Sequence, residues 1–107
     1  QSLGVRAGLL KAAVPVDQLL NEARRLAHRF IDHRSPVAVA LARQLIYRNG
    51  AQSHPLEAHR VDSLAMWHLS QHDGAEGVRA FLEKRPPQFT SKVSTDLPDF
   101  VAEWLQR

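Results

Sequence analysis

One phenylalanine and two basic residues lie close together in the segment EGVRAFLEKRPPQF, which spans residues 76–89. Phe81, Lys84 and Arg85 would fall on the last turn of one helix. A ring offers an apolar surface for a base and cations bind phosphates, so this cluster suits a ligand such as a nucleotide diphosphate. The spacing alone favours a simpler interpretation, in which Phe81 packs in the core and Lys84 is an ordinary cation at a helix C-terminus.

Six histidines raise the question of a metal site. His68 and His72 are four residues apart, which places two imidazoles on one helix face. Their segment, HLSQH, lacks the glutamate of the zinc-protease motif, and the sequence indicates no third ligand. We therefore predict exposed or partly buried histidines and no metal site.

The acidic residues do not indicate a general acid or base. Most occur at expected helix ends or beside arginine and lysine, where capping and surface ion pairs account for them. The sequence contains no glycine-rich phosphate loop and no Gly-x-Ser-x-Gly elbow, and the absence of cysteine excludes a Cys-His pair. We predict no catalytic residue in this chain.

A cluster of three arginines, Arg24, Arg25 and Arg29, forms a basic helix face that could contact nucleic acid. A solvated surface is favoured, because no aromatic residues alternate with these arginines and no helix-turn-helix turn is evident. The net charge of +3, from 14 basic and 11 acidic residues, is a modest excess. We predict no nucleic-acid partner. Two alternatives stay open: a free-standing helical interaction or nucleic-acid-binding module, and a purely structural oligomerisation domain.

The composition is that of an ordinary globular protein, and 107 residues is near the commonest size of one domain. No apolar run approaches the roughly 20 residues that span a bilayer, so we predict no membrane partner. The lack of cysteine suits a reducing compartment, and we predict a cytoplasmic location. The chain begins Gln-Ser-Leu-Gly without an initiator Met or a signal-peptide pattern, and we expect it to be part of a longer protein.

Apolar residues repeat every three or four positions along most of the chain, which predicts an all-α fold of four to five helices with short links. The segment Leu9–Val14 is the one candidate for a short strand. Helix ends carry clear signals, such as Gly8 at a C-terminus and Ser35 followed by Pro36 at an N-terminus. The first four predicted helices are one that ends at Gly8, one from Val16 or Asp17 to about His33, one from Pro36 to Asn49, and one from Pro55 to about His72.

The helix that carries Phe81 is predicted to begin with a capping box, with Asp73 as the N-cap and Glu76 at the third helical position. A basic pair and two prolines, residues 84–87, end this helix, because a helix cannot readily continue through two prolines. Residues 96–106 would form a short helix or an arm folded onto a neighbour. The predicted apolar face of the Phe81 helix consists of Val78, Phe81 and Leu82.

The run of residues 73–89 reads Asp-x-x-Glu-Gly-Val-x-Ala-Phe-Leu-Glu-Lys-Arg-Pro-Pro-x-Phe. It closely resembles the C-terminal signature of the crotonase superfamily, the enoyl-CoA hydratases and isomerases. Residues 4–10 and 14–20 are similar to the family's Gly-Leu-Val and Val-Pro segments. The stretch 35–44 resembles its Ser-Pro helix, although Arg-Gln stands where the family often has lysine. The resemblance covers roughly residues 3–90.

The resemblance implies a specific division of labour. Crotonases transform acyl-CoA thioesters through an enolate-like intermediate, which two backbone N–H groups stabilise. In the family, those donors and the acid/base carboxylates lie on an N-terminal spiral domain, which would precede Gln1. The resemblance therefore implies that residues 1–90 are the C-terminal helical domain of a crotonase with a truncated first helix, that residues 91–107 are an extension or arm, and that this chain alone is inactive.

The resemblance also implies partners and site residues. Crotonases are commonly trimers or dimers of trimers, so a homo-oligomer is expected, with acyl-CoA as substrate of the parent protein and no covalently bound cofactor. Phe81, Lys84 and Arg85 would contact the adenine and phosphates of CoA, often from a neighbouring subunit. A further aromatic residue of some relatives falls near Ala65, which cannot stack. Leu97, Phe100, Val101 and Trp104 could pack as an arm across a neighbouring subunit.

Overall fold

The computed structural model describes residues 2–106, and this part of the chain is helical without a β-strand. The predicted all-α class is confirmed. Within residues 2–106 six α-helices form, rather than four to five, because the last segment, which could also have been an arm, makes a regular helix. The predicted candidate strand at Leu9–Val14 is irregular. The elements are α1 (Leu3–Arg6), a 3-10 turn (Val16–Gln18), α2 (Leu19–Ile31), α3 (Pro36–Asn49), α4 (Pro55–Gln71), α5 (Asp73–Leu82) and α6 (Phe100–Leu105).

The described residues divide into two compact units, with the boundary between Phe30 and Ile31. In the first unit, α1 ends in a Schellman motif, in which two backbone N–H groups beyond the helix reach back to its carbonyls. Gly8 N–H donates to Val5 O at 3.1 Å, and Leu9 N–H donates to Gly4 O at 2.9 Å. Gly8 has a φ of 77°, so the prediction that it ends this helix in the left-handed conformation is confirmed.

Helix α2 forms as the apolar pattern predicted, after the 3-10 turn has supplied its first residues. None of its residues is buried, and Leu19, Leu20 and Phe30 are exposed. On its polar side, Arg25 donates two hydrogen bonds to Glu22, at 2.9 and 2.5 Å. These bonds lower the pKa of the Glu22 carboxyl. Helix α2 is therefore amphipathic, and most of its apolar side chains are exposed to solvent in the described part of the chain.

The second unit has a small core that joins three helices. Val37 and Leu41 of α3 and Ala65 of α4 are buried together with Val101 of α6, while Leu69, Leu97 and Phe100 pack partly buried around them. Of the two predicted alternatives for the last segment, the structure has the short helix, packed on its own chain. The predicted division into residues 1–90 and 91–107 stays a prediction about the family's domain boundary.

Arg48 holds α6 against α3. Its guanidinium donates hydrogen bonds to Trp104 O at 3.1 Å and Leu105 O at 3.4 Å, and its Cζ lies 5.6 Å from the centre of the Trp104 ring. A cation suits this place, because the last carbonyls of a helix are unpaired and carry partial negative charge. The C-terminal segment is therefore anchored by an arginine as well as by the buried Val101.

The predicted starts of α3 and α4 are confirmed. Ser35 is the N-cap of α3, where its Oγ accepts from Ala38 N–H at 3.3 Å, and Pro36 follows as the first helical residue. Helix α4 starts with Pro55, and the His54 ring accepts at Nδ1 from Leu56 N–H at 3.0 Å. Proline suits both positions because the first N–H of a helix has no partner within the helix.

Candidate functional site

The start of α5 is held tightly against the end of α4. Only His72 separates the two helices, and it caps α5 without a side-chain hydrogen bond. A Cβ added to Gly74 would lie 2.6 Å from the carbonyl oxygen of Leu69. Such a contact with backbone is too short for any larger residue, so glycine is required for this close approach.

Asp73 joins the start of α5 to two other segments. Its carboxylate is only 4% exposed, and it accepts from Ser35 Oγ at 2.5 Å and from Ser91 N–H at 3.4 Å. Burial opposes the charge and would raise the pKa of Asp73, but the hydrogen bonds from Ser35 and Ser91 outweigh it and lower the pKa. The prediction that Asp73 caps its own helix is therefore wrong, because the buried carboxylate binds partners on other segments.

Glu76, the other half of the predicted capping box, also binds elsewhere. Its carboxylate accepts two hydrogen bonds from the Arg85 guanidinium, at 2.6 and 3.2 Å, and one from Gln88 N–H at 3.0 Å. The hydrogen bonds from Arg85, and to a smaller extent the one from Gln88, lower the pKa of Glu76 to about 2. Glu76 therefore ties the first turn of α5 to the chain that leaves this helix.

Arg85 binds two carboxylates. Besides its two bonds to Glu76, its Nε donates to the Glu83 carboxylate at 2.6 Å. The hydrogen bonds that Arg85 donates to Glu76 and Glu83 raise its pKa, so Arg85 stays protonated. Of the two predicted phosphate-binding cations, Arg85 therefore supports the turn after α5 in this structure.

Lys84 occupies an unusual backbone conformation. Its φ is 53°, in the left-handed region, which costs a non-glycine residue roughly 1–2 kcal/mol. Lys84 N–H donates to Phe81 O at 3.2 Å and Arg85 N–H donates to Ala80 O at 3.0 Å, so α5 also ends in a Schellman motif. The Lys84 side chain is exposed, and within residues 2–106 no ion pair is found for it.

Phe81 is not part of the core of this chain. Its side chain is 82% exposed, and the other two members of the predicted apolar face, Val78 and Leu82, are also exposed. Because Lys84 N–H is hydrogen-bonded to Phe81 O, the ring and the cation belong to the same helix end. The interpretation of Phe81 as a core residue, which the spacing favoured, is therefore wrong for this chain.

The remaining candidates from the sequence are the histidine pair of α4 and the position of Ala65. The His68 and His72 rings are stacked with centres 4.3 Å apart, and His68 Nε2 is hydrogen-bonded to Asp96 O at 3.1 Å. Within residues 2–106 no group of three or more histidine, aspartate or glutamate side chains could hold a metal ion. Ala65 is buried in the core, so it cannot offer a surface to an adenine, whereas Trp67 nearby on α4 is exposed.

Sequence reasoning missed the partners that fix α5. Ser35 lies 38 residues before Asp73, and no short-range signal connects the two. Gln88 contributes through its backbone, which has no sequence signature at all. The pairing of Glu76 with Arg85 could have been considered, because both belong to the same conspicuous segment and have opposite charges.

In the described part of the chain, no helix has both the length and the apolarity to cross a bilayer.

The helical arrangement is shared with solved enoyl-CoA hydratase/isomerases. One from Mycobacterium paratuberculosis superposes with a TM-score of 0.63 and 31% sequence identity, over 83% of this chain and 35% of that one. An enoyl-CoA hydratase of Alternaria alternata is 38% identical over 102 residues, which are 94% of this chain and 34% of that protein. A "Probable enoyl-CoA hydratase, mitochondrial" of Dictyostelium discoideum is 34% identical over 89 residues, 81% of this chain and 31% of the relative.

A family profile described as enoyl-CoA hydratase/isomerase matches residues 4–92. The chain therefore belongs to the enoyl-CoA hydratase/isomerase family, and the expected crotonase membership is confirmed. The chain spans about a third of the length of these relatives. Residues 93–107, which include α6, lie beyond the matched range.

Proposed function

We propose that this chain is the C-terminal helical domain of an enoyl-CoA hydratase/isomerase, and that it contributes CoA contacts and subunit contacts to the parent protein. The observation that carries the proposal is the end of α5. An 82% exposed Phe81 is followed by Lys84, which is exposed and has no ion pair in the described residues. A ring and an available cation on one helix end suit the adenine and phosphates of CoA.

Arg85 has a different role in this proposal. Its guanidinium is hydrogen-bonded to both Glu76 and Glu83, so little of its charge is available to a phosphate. We propose that Phe81 and Lys84 contact CoA directly and that Arg85 holds the turn on which Lys84 lies.

Calorimetric titration with CoA tests this site. The chain should bind CoA weakly, and the double variant Phe81→Ala with Lys84→Ala should bind at least about tenfold more weakly, because stacking alone contributes that much. A matched control combines Val16→Ala with Lys92→Ala, which also removes one exposed apolar side chain and one exposed cation. Equal affinity of the double variant and the wild type would reject the site.

Subunit contacts are proposed from the exposed apolar side chains. Val78, Phe81 and Leu82 form one uncovered face of α5, and Met66 and Trp67 are exposed on α4. Contiguous apolar surface of this kind marks interaction sites in soluble proteins. We propose a homo-oligomer, a trimer or a dimer of trimers in the parent protein. Light scattering should give a mass well above the 12.0 kDa of one chain, and Leu82→Glu should reduce it.

The chain matches about a third of the length of its relatives, and we propose that the catalytic groups lie in the remaining part of the parent protein. The oxyanion-hole donors and carboxylates would then belong to another part of the parent protein, and the chain alone would not hydrate crotonyl-CoA. Hydration at a rate that rises in proportion to purified chain would overturn this. We also propose a cytoplasmic location for the parent protein. The Dictyostelium relative is named as mitochondrial, so cell fractionation should distinguish these two compartments.

A further inference from the structure

Glu76 closes a loop around the candidate ligand contact. Three hydrogen bonds reach its carboxylate from residues beyond the helix, two from the Arg85 guanidinium and one from Gln88 N–H. The Glu76 side chain is only 18% exposed, although it carries a charge. A charged side chain that is largely covered and accepts three hydrogen bonds holds its surroundings in one arrangement.

Lys84 lies inside this loop, one residue before Arg85. Its left-handed conformation is unfavourable for a residue with a Cβ, so surrounding contacts must hold it. Two backbone bonds do so directly, from Lys84 N–H to Phe81 O and from Arg85 N–H to Ala80 O. The second of these depends on the position of Arg85, and Glu76 determines where the Arg85 side chain is anchored.

We infer that Glu76 is a positioning residue, which holds Lys84 in the left-handed conformation and so directs its ammonium group toward a phosphate of CoA. The choice of CoA as the ligand rests on the proposed function. The claim that Glu76 holds the Lys84 backbone, which is the conformational part of the inference, does not depend on it. Glu76 and Glu83 both bind Arg85, and in the described residues neither carboxylate is found in an ion pair with Lys84. A cation held in place before the ligand arrives loses less conformational freedom on binding.

Glu76→Gln tests the conformational part in the free protein. The amide keeps the size of the side chain and can still accept from Gln88 N–H, but it loses the charge that binds Arg85. Amide hydrogen exchange at Lys84 and Arg85 should become about tenfold faster, since these amides report the Schellman bonds. Exchange within α4 should not change, which separates a local loosening from global unfolding.

Glu83→Gln is the matched control, because Glu83 also binds Arg85 but does not reach Gln88. We expect exchange at Lys84 to change by less than about twofold in this variant, since Glu76 still anchors the turn. Unchanged protection of Lys84 and Arg85 in Glu76→Gln would overturn the inference. So would equal loosening in both variants, because Glu76 would then have no special role.

CoA affinity tests the second part. Glu76→Gln should weaken CoA binding about three- to tenfold, the effect expected for ordering one long side chain. Glu76→Arg combined with Arg85→Glu re-forms the pair with reversed charges, and it should restore part of the affinity. If wild type and Glu76→Gln bind CoA equally while exchange at Lys84 differs, the positioning role in binding is refuted. If the wild type does not bind CoA at all, the proposed function fails, and the exchange data still decide whether Glu76 holds Lys84.

Discussion

Helices α1 and α5 end with the same hydrogen-bond pattern but with different residues in the left-handed position. In α1 that residue is Gly8, with a φ of 77°, and in α5 it is Lys84, with a φ of 53°. Both ends have the two backward N–H to carbonyl bonds of a Schellman motif. Glycine adopts this conformation without steric strain, whereas lysine does not.

The two ends also differ in what surrounds them. A Cβ added to Gly8 would have nothing within 4 Å, so the backbone conformation, and not space, favours glycine there. At the end of α5, the ion pairs of Arg85 support a strained residue that would be easy to replace by glycine. A strained cation on the same helix end as an exposed ring is the reason we propose that ligand contact, rather than folding stability, determines this residue.

The largest expected effect comes from releasing the start of α5. Asp73→Ala removes a buried carboxylate that accepts from Ser35 and Ser91. The free energy of unfolding should fall by roughly 2–4 kcal/mol, since each hydrogen bond to a charged group contributes about 1.5–3 kcal/mol and the relief of a buried charge offsets part of it. Urea unfolding followed by circular dichroism measures this. The control Asp62→Ala, at an exposed site on α4, should change the free energy of unfolding by less than about 0.5 kcal/mol. Equal losses in the Asp73 and Asp62 variants would contradict the anchoring role of Asp73.

A smaller loss is expected at the unsupported helix end. Gly8→Ala should lower the free energy of unfolding by about 1 kcal/mol, because alanine is strained in the left-handed conformation. The control is Gly50→Ala, where φ is −60° and the added Cβ would meet its nearest atom, Ile46 O, at 3.7 Å. That variant should be more stable by about 0.4–1 kcal/mol. The comparison loses its basis if both alanine variants shift the urea midpoint in the same direction.

Lys84→Gly should change the free energy of unfolding in the opposite direction from Gly8→Ala. Relief of strain, less the greater freedom of glycine in the unfolded chain, should stabilise the protein by about 0.5 kcal/mol. The same variant should weaken CoA binding, because the proposed phosphate contact is lost. Thermal unfolding and calorimetric titration together check this pair of outcomes. A less stable variant that binds CoA normally would show that Lys84 serves folding and not the ligand.

The smallest expected effect is a pH dependence of the α5 end. The pKa of Glu76 is lowered from 4.5 to about 2, so its bonds to Arg85 and Gln88 stabilise the folded chain fully above about pH 4.5. That contribution is lost as the pH falls from about 4.5 to about 2. Solvent screens these partly exposed groups, which keeps the effect modest. The difference in melting temperature between wild type and Glu76→Gln should be constant at neutral pH and should shrink over this acidic range; a difference that is independent of pH would refute the assignment to Glu76.

Much of the fold was predictable, because the signals of helix ends are local. Ser35-Pro36 and Pro55 start α3 and α4 as predicted, and Gly8 ends α1, since each acts on backbone groups within one turn. The candidate site was predictable only as a cluster. Phe81 was expected in the core from its spacing, and only the folded chain shows that the rest of the described residues leave it exposed.

The amino-acid sequence by itself determined the all-α class, most helix ends, the family and the cluster that holds the candidate residues, because periodicity, caps and a contiguous motif depend on near neighbours in the chain. The tertiary structure alone decided which carboxylate meets which partner. Asp73 binds Ser35, 38 residues away, instead of capping its own helix, and Arg85 binds Glu76 while Lys84 stays available. These choices depend on where burial strengthens one hydrogen bond over another, and burial is set by the path of the whole chain.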